Sequence, residues 1–159
     1  MTISFQPIGI IHSPFKGTEN VPIQPAAAGG IRGTVDVFAE YAVGLKDLNG
    51  FSHIILLYHF HRVTQAKLAV IPFLDDEPRG VFATRAPARP NPIGLSVVRL
   101  LAVEGNVVQI ENVDIVDGTP LLDIKPYVPE FDRQEVVRTG WLAAAKGKVK
   151  GKRSDDRFG

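Results

Sequence analysis

The stretch Leu95-Ser96-Val97-Val98-Arg99-Leu100-Leu101-Ala102-Val103-Glu104-Gly105-Asn106-Val107-Val108-Gln109-Ile110-Glu111-Asn112-Val113 decides the fold class. Two runs rich in aliphatic residues flank Glu104-Gly105-Asn106. A Gly-Asn pair between such runs marks a tight hairpin turn, because both residue types tolerate a positive φ. Two antiparallel strands are therefore predicted, over 95–103 and 106–113. The same vocabulary recurs on either side. Ile31, Gly33, Val35 and Val37 alternate with Arg32, Thr34 and Asp36, the period of two that a half-buried strand requires. Residues 3–11 are rich in β-formers until His12-Ser13-Pro14 interrupts them, and 51–60 form a near-continuous apolar run suited to a strand covered on both faces. Residues 81–84 read as a short strand, and 121–127 resume extended structure after the turn Asp117-Gly118-Thr119-Pro120. Tyr41, Leu45 and Leu48 fall at helical spacing and predict one short helix ended by Gly50.

Short strands separated by turn signals predict a mostly β fold, a small antiparallel β-barrel. Strands do not alternate with long amphipathic helices, and no Gly-x-Gly-x-x-Gly follows a strand, which argues against a doubly wound, Rossmann-type nucleotide-binding sheet. The chain of 159 residues reads as a single domain over 1–132 with a C-terminal extension over 133–159. There are no cysteines, so disulfides, thiolate metal sites and cysteine nucleophiles are excluded. The opening Met-Thr-Ile-Ser-Phe lacks the basic and apolar regions of a signal peptide, and no apolar run is long enough to span a membrane. A cytoplasmic protein with no membrane association is expected. Net charge is only +1, yet Lys146, Lys148, Lys150, Lys152 and Arg153 crowd into eight positions near the C-terminus. Such a tail either contacts phosphates or serves as a solvated solubilising segment.

Three polar clusters carry candidate chemistry. In Arg85-Ala86-Pro87-Ala88-Arg89-Pro90-Asn91-Pro92-Ile93-Gly94-Leu95-Ser96, three prolines stiffen the backbone and hold two arginines with little entropic cost on binding. Their guanidinium groups suit carboxylates or phosphates, and Gly94 would admit a ligand close to the main chain. The alternative is a stiff barrel cap whose arginines pair with Asp114, Asp117 or Asp123. In the second cluster, Asp114, Asp117 and Asp123 accept from ligand hydroxyl, ammonium or amine groups, serve as a general base, or bond their own turns. In the third, His53, His59 and His61 lie on one strand face, but no further ligand is near enough in sequence to favour a metal. His61 with Arg62 at the strand's end makes a better ligand-contacting pair.

Together these segments resemble a known family. The run Gly80-Val81-Phe82-Ala83-Thr84-Arg85-x-Pro87-x-Arg89-Pro90-Asn91-Pro92-Ile93-Gly94-Leu95-Ser96, the block Asp117-Gly118-Thr119-Pro120-x-x-Asp123-Ile124-Lys125-Pro126-Tyr127, and Tyr41, Gly44-Leu45, Asp47-Leu48 and Gly50-Phe51-Ser52-His53 match the motifs of the TrmO (TsaA-like) family. The likeness runs from about Ile8 to Asp132. It implies a non-Rossmann β-barrel methyltransferase, a homodimer with S-adenosylmethionine bound near the subunit interface. The implied reaction is methylation of N6 of N6-threonylcarbamoyladenosine at position 37, in the anticodon loop of tRNA. Carried over by motif, the cofactor contacts are Pro22, Ile23, Gln24, His61, Arg62, Arg85, Leu95, Ile115, Val116, Asp117 and Gly118, with no metal involved.

The acceptor in that reaction is a ureido nitrogen, weakly nucleophilic while it keeps its proton, so a base is expected. Asp117, Asp123 and Tyr127 are the candidates, with Arg89, Asn91 and Lys125 as substrate-binding residues. The rival readings are an S-adenosylmethionine-binding module without transfer activity, and a methyltransferase for a different, smaller substrate. Some members of the family carry a longer C-terminal domain, and here the basic tail is the candidate for gripping tRNA. Deleting residues 146–159 is expected to weaken tRNA binding and flatten its salt dependence while leaving cofactor affinity unchanged, as titrations at several salt concentrations would measure.

Overall fold

Apolar residues alternating along six strands close into a barrel, with one set of side chains filling the inside. The computed structural model describes residues 1–24, 28–136 and 138–145, so the basic tail lies outside the described residues. The barrel strands are β1 (Gly9–His12), β2 (Arg32–Val37), β3 (His53–His59), β6 (Ile93–Glu104), β7 (Val107–Glu111) and β8 (Thr119–Pro126). Between β3 and β6, the short strands β4 (Ala69–Val70) and β5 (Arg79–Gly80) pair as a separate ribbon. Around the barrel the order is β1-β2-β7-β6-β3-β8, and every neighbouring pair is antiparallel. Ile11, Val35, Ile54, Leu56, Val98, Val108, Ile110 and Leu121 form the buried interior. Closure leaves no unpaired edge strand in the barrel.

The expected hairpin is present and longer than expected, since β6 begins at Ile93. Gly105 sits at φ +62°, and the Asn106 side chain donates to the Val37 carbonyl at 2.8 Å, tying the turn to the neighbouring strand. Four expectations are corrected. The N-terminal strand starts only at Gly9, and Pro7, which has no N–H to donate, precedes the pairing. β3 is not covered on both faces: Ile54, Leu56 and Tyr58 point inward while His53, Ile55, Leu57 and His59 stay half-buried outside. The helix expected around Tyr41 resolves into two 3-10 turns, Ala39–Leu45 and Leu48–Gly50, separated at Asp47, which has φ +68°. Residues 81–84 are no strand either. Val81–Ala83 is a 3-10 turn, and the Thr84 hydroxyl donates to the Val81 carbonyl at 2.8 Å to close it.

Beyond β8, a single helical turn α1 (Pro129–Asp132) is followed by a 3-10 turn, Gly140–Ala145. Trp141 there donates from Nε1 to the Ala83 carbonyl at 2.8 Å, and Arg79 lies over its ring at 5.9 Å from the centroid. Asp75 in turn holds Arg79 by a short ion pair of 2.5 Å. The extension is thus packed against the segment that opens the Pro-rich loop. No helix among the described residues is long and apolar enough to cross a membrane.

Gly94 has a structural reason beside the expected ligand approach. It pairs with Tyr58 across β3 and β6, and a Cβ at this position would run into the Tyr58 ring. Gly94→Ala is therefore expected to cost about 1–3 kcal/mol of stability through overpacking. Gly44→Ala, where an added Cβ meets open space, is expected to change stability by less than about 0.5 kcal/mol. Denaturant unfolding of the two variants checks the contrast.

Candidate functional site

One end of the barrel is open. The C-terminal end of β3 and the start of β6 meet there, and the segment leading into β8 contributes Asp114, Ile115 and Val116 to its wall. Loops 13–24 and 81–89 wall the opening, and the turn at Trp141 and Leu142 covers part of it. The cavity there is about 770 Å³. That is within the range of sites that hold cofactor-sized molecules.

The structure brings Pro22, Ile23, Gln24, His61, Arg62, Arg85, Leu95, Ile115 and Val116 to this cavity. They arrive on four separate elements: the early loop, the end of β3, the Pro-rich loop with β6, and the strand that leads to β8. Arg85 donates from Nη1 to Gln24 Oε1 at 2.9 Å, joining two of these elements across the cavity mouth. Arg62 donates to the Lys16 carbonyl at 3.2 Å and so holds the early loop against the end of β3. Burial, helped by the positive charge of Arg62 and by His59, pushes the His61 imidazole below its ordinary value, which favours a neutral ring at neutral pH. Phe60, Phe73, Leu74 and Ile115 add apolar wall.

Of the remaining expected residues, Arg89 alone borders the cavity. Asp117 does not line the cavity. Its Oδ1 accepts from the Ser13 N–H at 3.0 Å and contacts His12 Nδ1 at 3.3 Å, while Oδ2 meets Lys16 Nζ at 2.7 Å. Lys16 chiefly, then the Ser13 and His12 bonds, holds its carboxyl down to about 2. The Ser13 hydroxyl also donates to the Ile115 carbonyl at 2.5 Å. Asp117 therefore anchors the loop that carries Pro22, Ile23 and Gln24, a positioning role that needs no contact with ligand. Gly118, at φ +80°, makes the turn and donates its N–H to Ile11; its place in the motif follows from backbone conformation.

Asp123, Lys125 and Tyr127 leave the cavity because β8 runs away from it. The strand starts at Thr119 on the cavity wall and pairs antiparallel with β3, so Pro126 meets Ile54 at the opposite end of that strand. At about 3.3 Å per residue, Tyr127 stands roughly 20 Å or more along the barrel from the opening. Asp123 and Lys125 pair with each other at 3.0 Å, and the Tyr127 ring packs edge-on to His53. The expected catalytic role of Asp117, Asp123 and Tyr127 thus has no geometric support at this cavity. Arg89 borders it, but one of its nitrogens is spent on the Thr84 and Ala86 carbonyls, at 3.0 Å each. Asn91 is exposed and outside the cavity lining, its carbonyl accepting from the Ile93 N–H at 2.7 Å.

Three residues outside the expected contact set are linked at its wall. Tyr58 and Ser96, both nearly inaccessible, hydrogen-bond at 2.9 Å, and Ser96 donates to Asp114 Oδ1 at 2.6 Å. Since Ser96 has a single hydroxyl proton, Tyr58 is the donor to it. Asp114 and Tyr58 both line the cavity. Burial pushes the Asp114 carboxyl up to about 7, against the opposing pull of the Ser96 bond and the Arg85 charge. Burial and the nearby Asp114 push the Tyr58 phenol far above its ordinary value, so it stays a donor. Ser96 closes the motif around Gly94, and Asp114 opens the run that continues to Asp117; a buried polar position inside an alternating strand was the available signal. His53 and His59 share the outer face of β3, whereas His61 lies past the strand end. Among the described residues, no group of three His, Asp or Glu side chains is placed to hold a metal ion.

Residues 10–133 match the model of the tRNA-methyltransferase O N-terminal domain. The chain is 61% identical over 158 residues to a probable S-adenosyl-L-methionine-binding protein of Pyrococcus abyssi, covering 99% of this chain and 86% of that one. It is 38% identical over 138 residues to the tRNA (adenine(37)-N6)-methyltransferase of Escherichia coli, covering 80% of this chain and 59% of that protein. The crystal structure of TrmO from Pseudomonas aeruginosa superposes with a TM-score of 0.75 at 40% identity, over 89% of this chain and 63% of that one. The chain thus spans most of its archaeal relative and about three fifths of these two bacterial ones. On the motif match, the relatives and the superposed barrel together, this chain belongs to the tRNA-methyltransferase O N-terminal domain family.

Proposed function

We propose that this chain is an S-adenosylmethionine-dependent methyltransferase acting on N6 of N6-threonylcarbamoyladenosine at position 37 of tRNA, in the cytoplasm. The observation that carries the reading is the convergence at one barrel end of nine motif residues from four separate elements, around a cavity of cofactor size. The donor set suits the cofactor. Its carboxylate would meet Arg85, its ribose and ammonium groups would find uncharged oxygen acceptors on the wall, and its adenine would lie against the apolar wall that includes Phe60 and Ile115. When bound, the cofactor supplies a methyl carbon on a positively charged sulfur.

The chain's own residues then orient and exclude water. Arg62 and Arg85 are already held by protein acceptors, so little freedom is lost when a ligand engages them. A neutral His61 adds no second positive charge beside Arg62, which matters for a cationic ligand. Packing by Phe60, Phe73, Leu74 and the Trp141 turn makes the cavity apolar enough to strip water from the reacting groups. Arg89 uses one nitrogen on its own loop and has further N–H groups to offer the threonyl carboxylate. Methyl transfer then depends chiefly on holding N6 in line with the carbon–sulfur bond.

A homodimer belongs to the same reading. Ile93 and Leu95 are more than two fifths exposed and Phe82 three quarters exposed, all bordering the cavity mouth. A second copy covering this rim would bury those side chains and extend the site. A binding module without transfer activity is the second reading, favoured by the archaeal relative's description as a probable S-adenosyl-L-methionine-binding protein.

Two outcomes are expected. Calorimetry should show S-adenosylmethionine binding by the intact chain, with Arg85→Ala weakening it by roughly 10-fold or more through loss of a charge-assisted bond. Labelled cofactor with tRNA bearing the threonylcarbamoyl group should give label in the N6-methylated nucleoside after digestion, and none with tRNA lacking that group. Binding without transfer would leave the second reading standing.

A further inference from the structure

Asp114 is a carboxylate with an unusual setting. It sits on the cavity wall within one residue of the buried Ile115, directly before the segment that closes the barrel end. From β6, Ser96 donates to its Oδ1 at 2.6 Å, and from β3, Tyr58 donates to Ser96 at 2.9 Å. From the Pro-rich loop, Arg85 supplies the positive charge that acts on it. Tyr58 is itself fixed by the close approach of Gly94. A barrel interior otherwise filled with Ile, Val and Leu therefore aims one carboxylate into the cavity and orients it with two hydroxyls. A stability role alone gives little reason for this, since an apolar side chain would fill the place at lower desolvation cost.

We propose, resting on the methyltransferase reading above, that Asp114 is the proton acceptor for the reacting N6–H, held in line by the Tyr58–Ser96 pair. As the N6 lone pair bonds to the methyl carbon, the carbon–sulfur bond breaks and its electron pair stays on sulfur. The N6–H bond leaves its electron pair on nitrogen, and the proton passes to the Asp114 carboxylate. Asp114, now a neutral acid, returns the proton to water once the products leave. A group that changes state near neutral pH is suited to accepting and releasing that proton. Burial places its carboxyl at about 7, and Arg85 keeps that value from rising further. Ser96 and Tyr58 are positioning residues, because neither needs to reach the substrate.

The test uses the whole chain and the variants Asp114→Asn and Ser96→Ala. Cofactor affinity by calorimetry should stay within about 3-fold of wild type for both, while single-turnover methyl transfer by Asp114→Asn should fall by about 100-fold or more. The wild-type rate should rise about 10-fold per pH unit below its limb near 7 and level off above it. That limb should vanish in Asp114→Asn and move to higher pH in Ser96→Ala, where the bond that favours the carboxylate is gone. A merely structural Ser96 would leave the limb in place.

Stability supplies a readout that needs no turnover. The folded carboxyl holds its proton to about 7 while an ordinary Asp releases it near 3.8, so the fold loses stability as pH rises through that window. Asp114→Asn should therefore gain in Tm over wild type at pH 8 relative to pH 5. The proposal is overturned if Asp114→Asn transfers at the wild-type rate, if it loses the cofactor, or if the Tm gap is the same at both pH values. Failure of wild type to methylate the modified tRNA sinks the methyltransferase reading and this proposal together. Full activity in Asp114→Asn sinks this proposal alone.

Discussion

Tyr58 lies where β3 meets β6, and its ring occupies the space that a side chain at position 94 would take. The consequences of that single contact spread in two directions. Toward the core, Tyr58 is almost fully buried and meets Phe60 edge-to-face at 5.4 Å, which carries the barrel interior up to the cavity floor. Toward the site, its hydroxyl is buried and needs an acceptor, and Ser96 on β6 is the residue in reach. Ser96 donates its own hydroxyl proton to Asp114. The placement of a carboxylate in the cavity thus follows from a glycine two residues before that serine. Substituting any member of this chain of bonds leaves a buried polar group short of a partner, which costs more than the bond itself contributes.

The segment from Asp114 to Gly118 divides its residues between two environments. Asp114, Ile115 and Val116 line the cavity, and Asp117 turns to the other side, where Ser13, His12 and Lys16 gather around it. That second side matters to the first. Asp117 and the Ser13–Ile115 bond pin the start of the early loop, and Arg62 holds Lys16 from the β3 end, so residues 22–24 reach the cavity on a loop tied at two points. The two arginines of the Pro-rich loop divide in the same manner. Arg85 is exposed and joined to Gln24 across the cavity mouth, whereas Arg89 braces the turn at Thr84 and Ala86. Spacing four residues apart on a stiff loop could not distinguish the brace from the arginine joined to Gln24.

Several features were legible because they are local. A Gly-Asn pair between apolar runs specifies a hairpin through backbone conformation alone, and period-two alternation specifies which face of β2 is buried, whatever the rest of the chain does. The closed all-antiparallel barrel follows from many short strands with turn signals, and the long motifs led directly to the family. Other features depended on distant partners. Residues 81–84 carry β-forming types, yet a threonine hydroxyl closes them into a 3-10 turn, and the run before Gly9 has β-formers but does not join the barrel. Whether Asp117, Asp123 or Tyr127 meets a ligand is decided by the direction in which β8 leaves the opening, a property of strand pairing that motif order does not encode.

By itself, then, the sequence determined the fold class and the stiff loop, because turn chemistry, periodicity and proline restriction act over a few neighbouring residues; the expected cofactor contacts came from the family resemblance, and nine of the eleven line the cavity. Only the tertiary structure decided which polar residues face that cavity and with what charge. Asp114, Ser96 and Tyr58 come from three strands or connections separated by 38 and 18 residues in the chain, and only barrel closure makes them neighbours. The low polarizability of the surroundings that closure creates is also what moves the Asp114 carboxyl toward neutral pH. A carboxylate read from sequence alone has no such environment, and it is the environment that turns an ordinary aspartate into a group able to exchange a proton there.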